Sequence, residues 1–444
     1  MFPPVFESPA VLQSARWITA PLGLLDEGRR RYGDTFALRI LGLGSIVIVS
    51  DPDVIRQMFT GDPDVFRAGE GRYFLRQLVG DTSILVLDGE THMRKRRLLL
   101  PPFHGERLHA YAETIRDATV ASIKTWPIGD PFPLQPEMQR ITLQVIVRAV
   151  FGLREDAEIQ HFSSLLTRFV NIVSSPIRPI LALLRINTLT RAPWLPSSKM
   201  KAEIDRLLFA EIARRRKAGG EHHDVLSLLL DARDEDGRPL TDVELRDELI
   251  TVLLAGHETT ATALAWTFGL MLAAPEVKAR LDDELSAVIG DGPLDPSHLE
   301  KLVYLDAVIK ESLRLRPIAP VVSRLLKAPF QVGPYLLPPG TRVTLSVWLT
   351  HQRKDLYPEP ERFLPDRFIG KKTDPYAWFP FGGGVRRCLG MAFALYEMKV
   401  VLATVFSRVG MRLAPGPPPR PVRRSVTLAP SGGTRVVVHR LPDP

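Results

Sequence analysis

The single cysteine of this 444-residue chain, Cys388, has a sequence environment that suits metal chemistry. A lone thiol cannot form an intrachain disulfide or a multi-cysteine metal site. Cys388 follows a run of glycines and two arginines within residues 381–390, and a helical pattern begins directly after this segment. A thiol beside arginines at a helix N-terminus is stabilised as a thiolate. Cys388 is therefore predicted to be a metal ligand, with a buried structural cysteine as the alternative.

A carboxyl group and a hydroxyl group lie side by side in the longest helical pattern, residues 241–274. A capping box opens this pattern and a proline closes it. Glu258 and Thr259 lie in its middle, and His257 before them is interpreted as structural. A buried carboxyl group is costly without a partner or a function, so the pair indicates proton transfer or a satisfied core contact. Gly256 has low helix propensity and predicts a local opening of the helix.

Both segments resemble the cytochrome P-450 haem-thiolate family. Residues 381–390 match its pattern F-x-x-G-x-R-x-C-x-G, and residues 255–260 match its A-G-x-E-T-T element. The resemblance covers nearly the whole chain. It implies a mainly α structure with small β-sheets, the triangular-prism-like P-450 fold, as a single domain over residues 1–444. It also implies haem b (iron protoporphyrin IX) as the cofactor and Cys388 as its axial iron ligand.

The family's patterns imply roles for the other residues of these segments. Phe381 would pack near the sulfur, Arg386 would pair with a haem propionate, and Gly390 completes the loop signature. Thr259 would hydrogen-bond the activated oxygen, and Glu258 would deliver protons through water.

Further cofactor contacts are implied outside these segments. His92 and Arg96, at i and i+4, match the family's propionate-binding positions, and Arg324 is a third candidate. Arginine can bind a carboxylate with two hydrogen bonds. Lys95 and Arg97 are predicted to face outward on the proximal side, where an acidic ferredoxin would dock. The same basic run is alternatively typical of a nucleic-acid patch.

A structural charge network is also predicted. Glu311 and Arg314 form the family's E-x-x-R pair on one helix face. An arginine of a P-x-R-F string completes this network in the family. Arg362 and Arg367 both fit, and the distance to Cys388 favours Arg367.

The substrate pocket is predicted from two segments that correspond to mobile lids in the family, residues 73–85 and 169–195. Apolar walls imply an apolar substrate, although each wall residue is also a candidate for the core. The predicted walls are Phe74, Phe169, Leu254, Ala255, Val321, Val322 and Leu428.

The remaining patterns predict helices and a few strands. Strands are expected at residues 36–40, 46–49, 426–428 and 435–438, and a strand-rich stretch interrupted by turns is expected at residues 330–348. The net charge of +8 fits a solvated surface or a basic patch for an acidic electron-transfer partner. The sequence contains no stretch of about 18 apolar residues and no signal-peptide pattern, so it predicts no membrane span and a cytoplasmic location.

These features predict a monooxygenase that hydroxylates or epoxidises a lipophilic small molecule, such as a fatty acid or terpenoid. It would use O2 and two electrons from a separate ferredoxin and ferredoxin reductase, with no nucleic-acid partner. A peroxide-driven peroxygenase and a non-catalytic haem-thiolate sensor are the alternatives. Glu258 and Thr259 argue against the peroxygenase, because peroxide already supplies protons and electrons.

Overall fold

The structure, a computed structural model, describes residues 1–152, 156–173, 196–218, 224–290, 292–424 and 426–440. Helices dominate these residues, as predicted. The α-helices are α1 (Ala10–Thr19), α2 (Pro21–Tyr32), α3 (Pro52–Thr60), α4 (Arg76–Val79), α5 (Gly89–Leu99), α6 (Ala112–Ile123), α7 (Leu134–Phe151), α8 (Asp156–Val173), α9 (Pro196–Ala218), α10 (Val225–Asp231), α11 (Asp242–Leu272), α12 (Pro275–Val288), α13 (Val303–Leu315), α14 (Val347–His351) and α15 (Met391–Phe406).

The strands form small sheets. They are β1 (Thr35–Ile40), β2 (Gly44–Val49), β3 (Phe66–Arg67), β4 (Phe132–Pro133), β5 (Val321–Leu326), β6 (Phe330–Val332), β7 (Tyr335–Leu337), β8 (Arg342–Ser346), β9 (Gly410–Leu413), β10 (Pro421–Arg424), β11 (Thr427–Pro430) and β12 (Arg435–Arg440). A five-stranded sheet has the order β1-β2-β8-β5-β3, and a three-stranded sheet has the order β4-β12-β9. The pairs β6-β7 and β10-β11 form the other two sheets.

The predicted N-terminal hairpin is confirmed. β1 and β2 pair antiparallel, with Phe36 opposite Ile48. β2 also pairs with β8 in parallel, with Ile48 beside Thr344. The inward side chains of this sheet are fully buried, so alternation of apolar residues placed the hairpin correctly.

The two predicted C-terminal strands exist but lie in different sheets. β11 pairs with β10, where Leu428 lies opposite Arg423. β12 pairs with β9 and β4 instead, and Val436 lies between Leu413 and Phe132. The chain therefore crosses from one sheet to the other at the glycines that precede β12.

The long helix α11 begins at the predicted capping box. Thr241 Oγ1 accepts a hydrogen bond from the Glu244 N–H at 3.2 Å, and Glu244 Oε2 accepts one from the Thr241 N–H at 2.9 Å. The helix continues through Gly256, so the predicted opening is wrong for this described element. Gly256 instead allows α11 to approach α7, since a Cβ here would lie 3.3 Å from Ile146 Cδ1.

Candidate active site

Cys388 lies just before α15, at the helix N-terminus that the sequence predicts. Its backbone N–H donates to the Phe381 carbonyl at 3.0 Å, and the N–H of the N-cap residue Gly390 donates to its sulfur. The Phe381 ring packs against Trp378, with 6.3 Å between ring centroids. The thiol retains accessible surface although it lies deep in the protein, so the sulfur borders an interior space.

The electrostatics of Cys388 combine opposing effects. Burial raises the pKa of the thiol, whereas the Gly390 N–H and the charges of Arg96 and Arg387 lower it. Burial is the largest of these influences, so helix and arginines alone do not make Cys388 a thiolate. A bound cation at the sulfur would supply the missing positive charge.

The glycines before Cys388 are required by contact with α3. Gly384 has a φ of 62°, and a Cβ on it would lie 2.2 Å from the Phe59 carbonyl oxygen. A Cβ on Gly383 would lie 2.2 Å from the Phe59 ring. The loop that carries the thiol is thus fixed against the end of α3 by two residues without side chains.

A group of basic residues surrounds the thiol loop, and we call it the cationic cradle. Arg96 Nη1 donates to the Arg387 carbonyl at 2.8 Å, and its charge acts on Cys388. Asp88 is the carboxylate among these mutually interacting groups. The cradle consists of Arg72, His92, Arg96, Arg324 and Arg386.

The cradle holds an excess of positive charge in the protein interior. Arg324 is 3% exposed and donates to the Ser323 carbonyl at 3.0 Å. Burial, Arg386 and Arg96 lower the pKa of His92 to about 3, so this histidine is neutral. A buried cationic excess is stable only beside anions. The cradle therefore fits a bound group with two carboxylates, such as the propionates of haem.

Arg386 is held by the segment that precedes α5. Its guanidinium pairs with Asp88 and donates to the carbonyls of Leu87 and Ile84, the last at 3.1 Å. Asp88 also accepts the Gly69 N–H at 2.9 Å. Its pairing with a propionate stays a prediction, and so do the contacts of His92, Arg96 and Arg324.

Sequence reasoning missed Arg72 and Asp88. Arg72 lies in a short 3-10 helix that has no recognisable motif. Asp88 precedes α5 as a candidate N-cap, yet it makes no side-chain cap and instead binds the backbone N–H groups of Ala68 and Gly69. An aspartate at a helix start gave no signal that it partners an arginine about 300 residues away.

Thr259 belongs to an accessible strip on the otherwise buried helix α11. Val252, Gly256 and Thr259 are partly exposed and Ala255 is exposed, at the spacing of one helix face. Thr259 Oγ1 donates to the Ala255 carbonyl at 2.5 Å. Thr259 thus borders accessible space in the middle of the helix, and its single hydroxyl proton could bond an oxygen species there only by leaving the Ala255 carbonyl.

Glu258 lies on a different side of α11 from Thr259. Its Oε2 accepts a hydrogen bond from Gln139 Nε2 at 2.5 Å, and its Oε1 lies 3.4 Å from Arg424 Nη1. Burial raises the pKa of Glu258, while Arg424 and Gln139 lower it. Burial also lowers the pKa of the adjacent His257 to about 4, so His257 is neutral, as a structural residue would be.

Comparison with known proteins decides the family. Residues 3–436 match the family model described as Cytochrome P450. The chain belongs to the cytochrome P450 family.

The relatives cover almost the full length of this cytochrome P450. It is 39% identical to the Putative cytochrome P450 135B1 of Mycobacterium tuberculosis over 434 residues, 97% of this chain and 90% of the relative. It is 39% identical to the Putative cytochrome P450 137 of the same species, over 92% of this chain and 83% of the relative. The solved structure of retinoic acid bound cyanobacterial CYP120A1 superposes with a TM-score of 0.84 at 26% identity, over 99% of each chain.

This cytochrome P450 is accordingly a haem-thiolate monooxygenase that uses O2, a redox partner and an organic substrate. Among the described residues, no three His, Cys, Asp or Glu side chains cluster as a metal site would require. One protein ligand suffices for haem, because the porphyrin supplies the others. A search of the described helices for a membrane-spanning segment finds none of sufficient length and apolarity.

The charge network of this P450 brings together the three residues proposed for it. Glu311 and Arg314 are 0% exposed and form two hydrogen bonds, at 2.7 and 2.9 Å. Arg367 Nε lies 3.3 Å from Glu311 Oε1. The side chain of Arg362 instead pairs with Glu359 at the surface, and only its carbonyl accepts from Arg314. The network ties α13 to the segment before the thiol loop.

The prediction that Lys95 faces outward is wrong. Its side chain is buried, with 1% exposed. Its Nζ donates to the Thr82 carbonyl at 2.7 Å and lies 3.3 Å from Glu248 Oε1. Arg97 is exposed, as predicted, and pairs with Glu235. The helical pattern placed Lys95 on the wrong face because its buried partners come from a distant helix.

The predicted pocket walls divide into two groups. Leu254, Val321 and Val322 are partly exposed and Ala255 is exposed, so all four border accessible space. Phe169 is 0% exposed and Leu428 is 3% exposed, so this structure places them in the core rather than on a wall. The side chain of Phe74 lies outside the described residues.

The first predicted lid, residues 73–85, is hydrogen-bonded to α11 near its C-terminal end. Thr82 donates to Asp247 through its N–H and its hydroxyl, at 2.8 and 2.7 Å. The Ile84 N–H donates to Glu248 at 2.8 Å. Residues 82–84 are thus anchored on α11. Most of the second lid, residues 174–195, lies outside the described part of the chain.

Proposed function

We propose that this P450 hydroxylates or epoxidises a lipophilic small molecule with haem b, O2 and two electrons from a separate ferredoxin and ferredoxin reductase. The observation that carries the proposal is the cationic cradle beside an interior thiol. Buried arginines near an accessible interior sulfur suit a flat dicarboxylate that carries a metal ion.

The cofactor would be held from two sides. Cys388 would ligate the iron, and the arginines and His92 of the cradle would bind the two propionates. When bound, haem supplies the redox chemistry that activates O2. The protein contributes a fixed sulfur, because Gly384 and the Phe381 carbonyl position its loop.

The side chains of Glu258 and Thr259, both on α11, would take part in proton delivery. Burial raises the pKa of Glu258 and favours its protonated form, which suits a proton donor. The Thr259 hydroxyl would hold the oxygen species by a hydrogen bond from Oγ1. Glu258 would then pass its proton toward that site through water.

The accessible apolar residues Leu254, Ala255, Val321 and Val322 support a lipophilic substrate. Apolar walls bind apolar ligands. The related cyanobacterial structure is described as bound to retinoic acid, an apolar terpenoid with a carboxylate. This likeness supports a fatty acid or terpenoid as the substrate.

An acidic ferredoxin is proposed as the redox partner, and the cytoplasm as the location. The net charge of +8 and the exposed side chains of Arg97 and Arg387 near the thiol loop support an acidic ferredoxin. The site draws on residues from position 72 to position 388, which supports a single domain over residues 1–444. The single cysteine, which cannot form an intrachain disulfide, fits a reducing cytoplasm as the proposed location.

Absorption spectra of the purified protein test this function. The reduced carbon-monoxide adduct is expected to show the red-shifted band of thiolate coordination, and Cys388→Ser is expected to lose it. A panel of fatty acids and terpenoids is then screened for the low-spin to high-spin shift. A compound that shifts the spectrum should incorporate one atom from 18O2 when a ferredoxin and its reductase are supplied. Protein without haem, or product formed equally well from peroxide alone, would contradict the proposal.

A further inference from the structure

The guanidinium of Arg423, on β10, makes no ion pair and no hydrogen bond with the described part of the chain. Its Nε atom is buried and has no partner there. Burial lowers the pKa of Arg423 to about 10, and no described carboxylate acts against this effect. The group still keeps its proton near neutral pH. Arg423 is therefore a cation in a desolvated position, which is costly unless an anion binds beside it.

Other arginines with a buried, unbonded Nε differ from Arg423 in this respect. Four of them occur among the described residues, and the guanidinium of each has an ion pair or a hydrogen bond. These contacts are Arg76 with Asp81, Arg246 with Asp247, Arg316 with the Leu315 carbonyl and Arg342 with the Gly71 carbonyl. The Arg423 guanidinium lies instead over the Trp17 ring of α1, 5.3 Å from the ring centroid. The ring holds the group in place and leaves its N–H donors for another acceptor.

The hairpin β10–β11 turns Arg423 toward α1. Val422 and Arg424 both border the pocket beside α7 and α8. Because neighbouring side chains of a strand point to opposite faces, Arg423 lies on the other face of the hairpin. Its cross-strand neighbour Leu428 donates its N–H to the Ile318 carbonyl at 2.9 Å. Arg423 thus lies between α1 and the segment that leads into β5.

Strand β5 connects this position with the cofactor site. Trp17 packs against the same apolar cluster as Val321, the first residue of β5. Val321 and Val322 border accessible space, and Arg324 belongs to the cationic cradle. At about 3.3 Å per residue, the strand covers about 10 Å from Val321 to Arg324. A lipophilic molecule along β5 can therefore extend from Arg423 to the cofactor site.

We infer that Arg423 binds the carboxylate of the substrate, and that the substrate is a lipophilic carboxylic acid such as a fatty acid or an acidic terpenoid. This inference rests on the proposed function and deepens it by naming the polar end of the substrate. A guanidinium forms charge-assisted hydrogen bonds with a carboxylate, whereas an ester leaves the charge of Arg423 unpaired. With the acid group held there, oxidation falls on the part of the substrate remote from the carboxylate.

Spectral titration of the ferric holoprotein tests this specificity without a variant. Palmitic acid, retinoic acid and the methyl ester of each are titrated near neutral pH, and the spin shift of the haem gives each Kd. The acids are expected to bind about 10- to 100-fold more tightly than their esters, as a hydrogen bond to a charged group allows. Equal affinities for acids and esters, or no spin shift with either acid, would overturn the inference.

Substitution of Arg423 tests the residue itself. Arg423→Gln is expected to weaken binding of the acids at least about 10-fold and to leave the methyl esters unchanged. Arg423→Lys keeps a positive charge and should restore part of the lost affinity. Arg420→Gln is the matched control, because Arg420 is exposed just before β10 and should leave every Kd unchanged. An equal loss for acids and esters would give Arg423 a purely structural role and overturn the inference.

Product analysis tests the orientation of the substrate. With a ferredoxin and its reductase, oxygen is expected in the half of palmitic acid that is remote from the carboxylate. Oxygen next to the carboxyl group would place the acid end at the haem and contradict the inference.

The outcomes separate this inference from the proposed function. A missing red-shifted carbon-monoxide band would overturn the proposed function. With a normal band, the titrations of the wild-type protein decide the role of the carboxylate even if Arg423→Gln does not fold.

Discussion

Lys95 Nζ lies 3.3 Å from Glu248 Oε1, and both side chains are almost fully buried. This ion pair joins α5, which carries His92 and Arg96 of the cradle, to α11, which carries Glu258 and Thr259. Burial raises the pKa of Glu248 to about 7, while Lys95 and the Ile84 N–H lower it. Glu248 therefore depends on Lys95 for its charged form.

Loss of one member of this pair should be costly. Lys95→Met is expected to destabilise the holoprotein by about 3–5 kcal/mol, because it leaves a buried carboxylate without its partner. Urea unfolding measures the change. Arg97→Gln, which breaks an exposed pair on the same helix, should cost less than about 1 kcal/mol. Equal effects of the two variants would contradict the importance of the buried pair.

The charge network around Glu311 should also be specific for arginine. Arg314 makes hydrogen bonds to both Glu311 oxygens and to the His351 carbonyl. Lysine cannot reproduce this geometry, so Arg314→Lys is expected to cost roughly 2–4 kcal/mol. Arg362→Lys, at an exposed pair, serves as the control in the same thermal or urea unfolding experiment. If Arg314→Lys left the free energy of unfolding unchanged, charge alone would hold the network.

Acid should destabilise the protein through its buried histidines. The folded-state pKa of His257 is about 4 and that of His351 is about 3, both below the ordinary value of 6.5. Between about pH 6.5 and pH 4 these histidines bind protons in the unfolded chain but stay neutral in the folded chain. The free energy of unfolding therefore falls as pH falls.

The His257 contribution can be isolated. His257→Leu is expected to remove about 1–2 kcal/mol of the stability lost between pH 6.5 and pH 5, since one pKa step corresponds to about 1.4 kcal/mol. His439→Leu, at an exposed position, should leave the pH dependence of unfolding unchanged. If the free energy of unfolding changed equally with pH in both variants, His257 would be protonated in the folded state.

Arg72, the member of the cationic cradle that sequence analysis missed, is expected to contribute to haem retention. Arg72→Gln is expected to speed haem loss to an apoprotein scavenger by roughly 10-fold or more, the equivalent of one charge-assisted hydrogen bond of about 1.5–3 kcal/mol. Arg76→Gln changes a neighbouring arginine that stacks on Tyr73, 4.6 Å from its ring, and should not alter the rate. Matching rates for both variants would remove Arg72 from the cofactor site.

The hydroxyl on the accessible strip of α11 should control coupling. Thr259→Ala is expected to divert reducing equivalents to hydrogen peroxide and to lower product per equivalent by about 10-fold or more, because proton delivery loses a positioned group. The adjacent Thr260 is buried, so Thr260→Ala is the matched control. If Thr259→Ala changed neither hydrogen peroxide formation nor product per reducing equivalent, a sensor without turnover would be favoured.

Local sequence patterns predicted much of the architecture. The capping box at Thr241, the hairpin around Phe36 and the helix after Cys388 all depend on neighbours within a few residues, so their spacing identifies them. The thiol loop and the Glu258–Thr259 pair were recognised for the same reason. The charge network was recognised only through its family pattern, since its third member lies 56 residues from Glu311.

The amino-acid sequence by itself determined the helices, the hairpin and the two segments that carry sulfur, acid and alcohol. The tertiary structure alone decided that Lys95 is buried, that Asp88 pairs with Arg386, and that Arg424 reaches Glu258. These contacts join residues far apart in the sequence, 298 positions in the case of Asp88 and Arg386, and no local periodicity records which distant charge will meet which. Desolvation then raises the pKa of buried acids such as Glu248 and Glu258, and it exists only after the chain has folded.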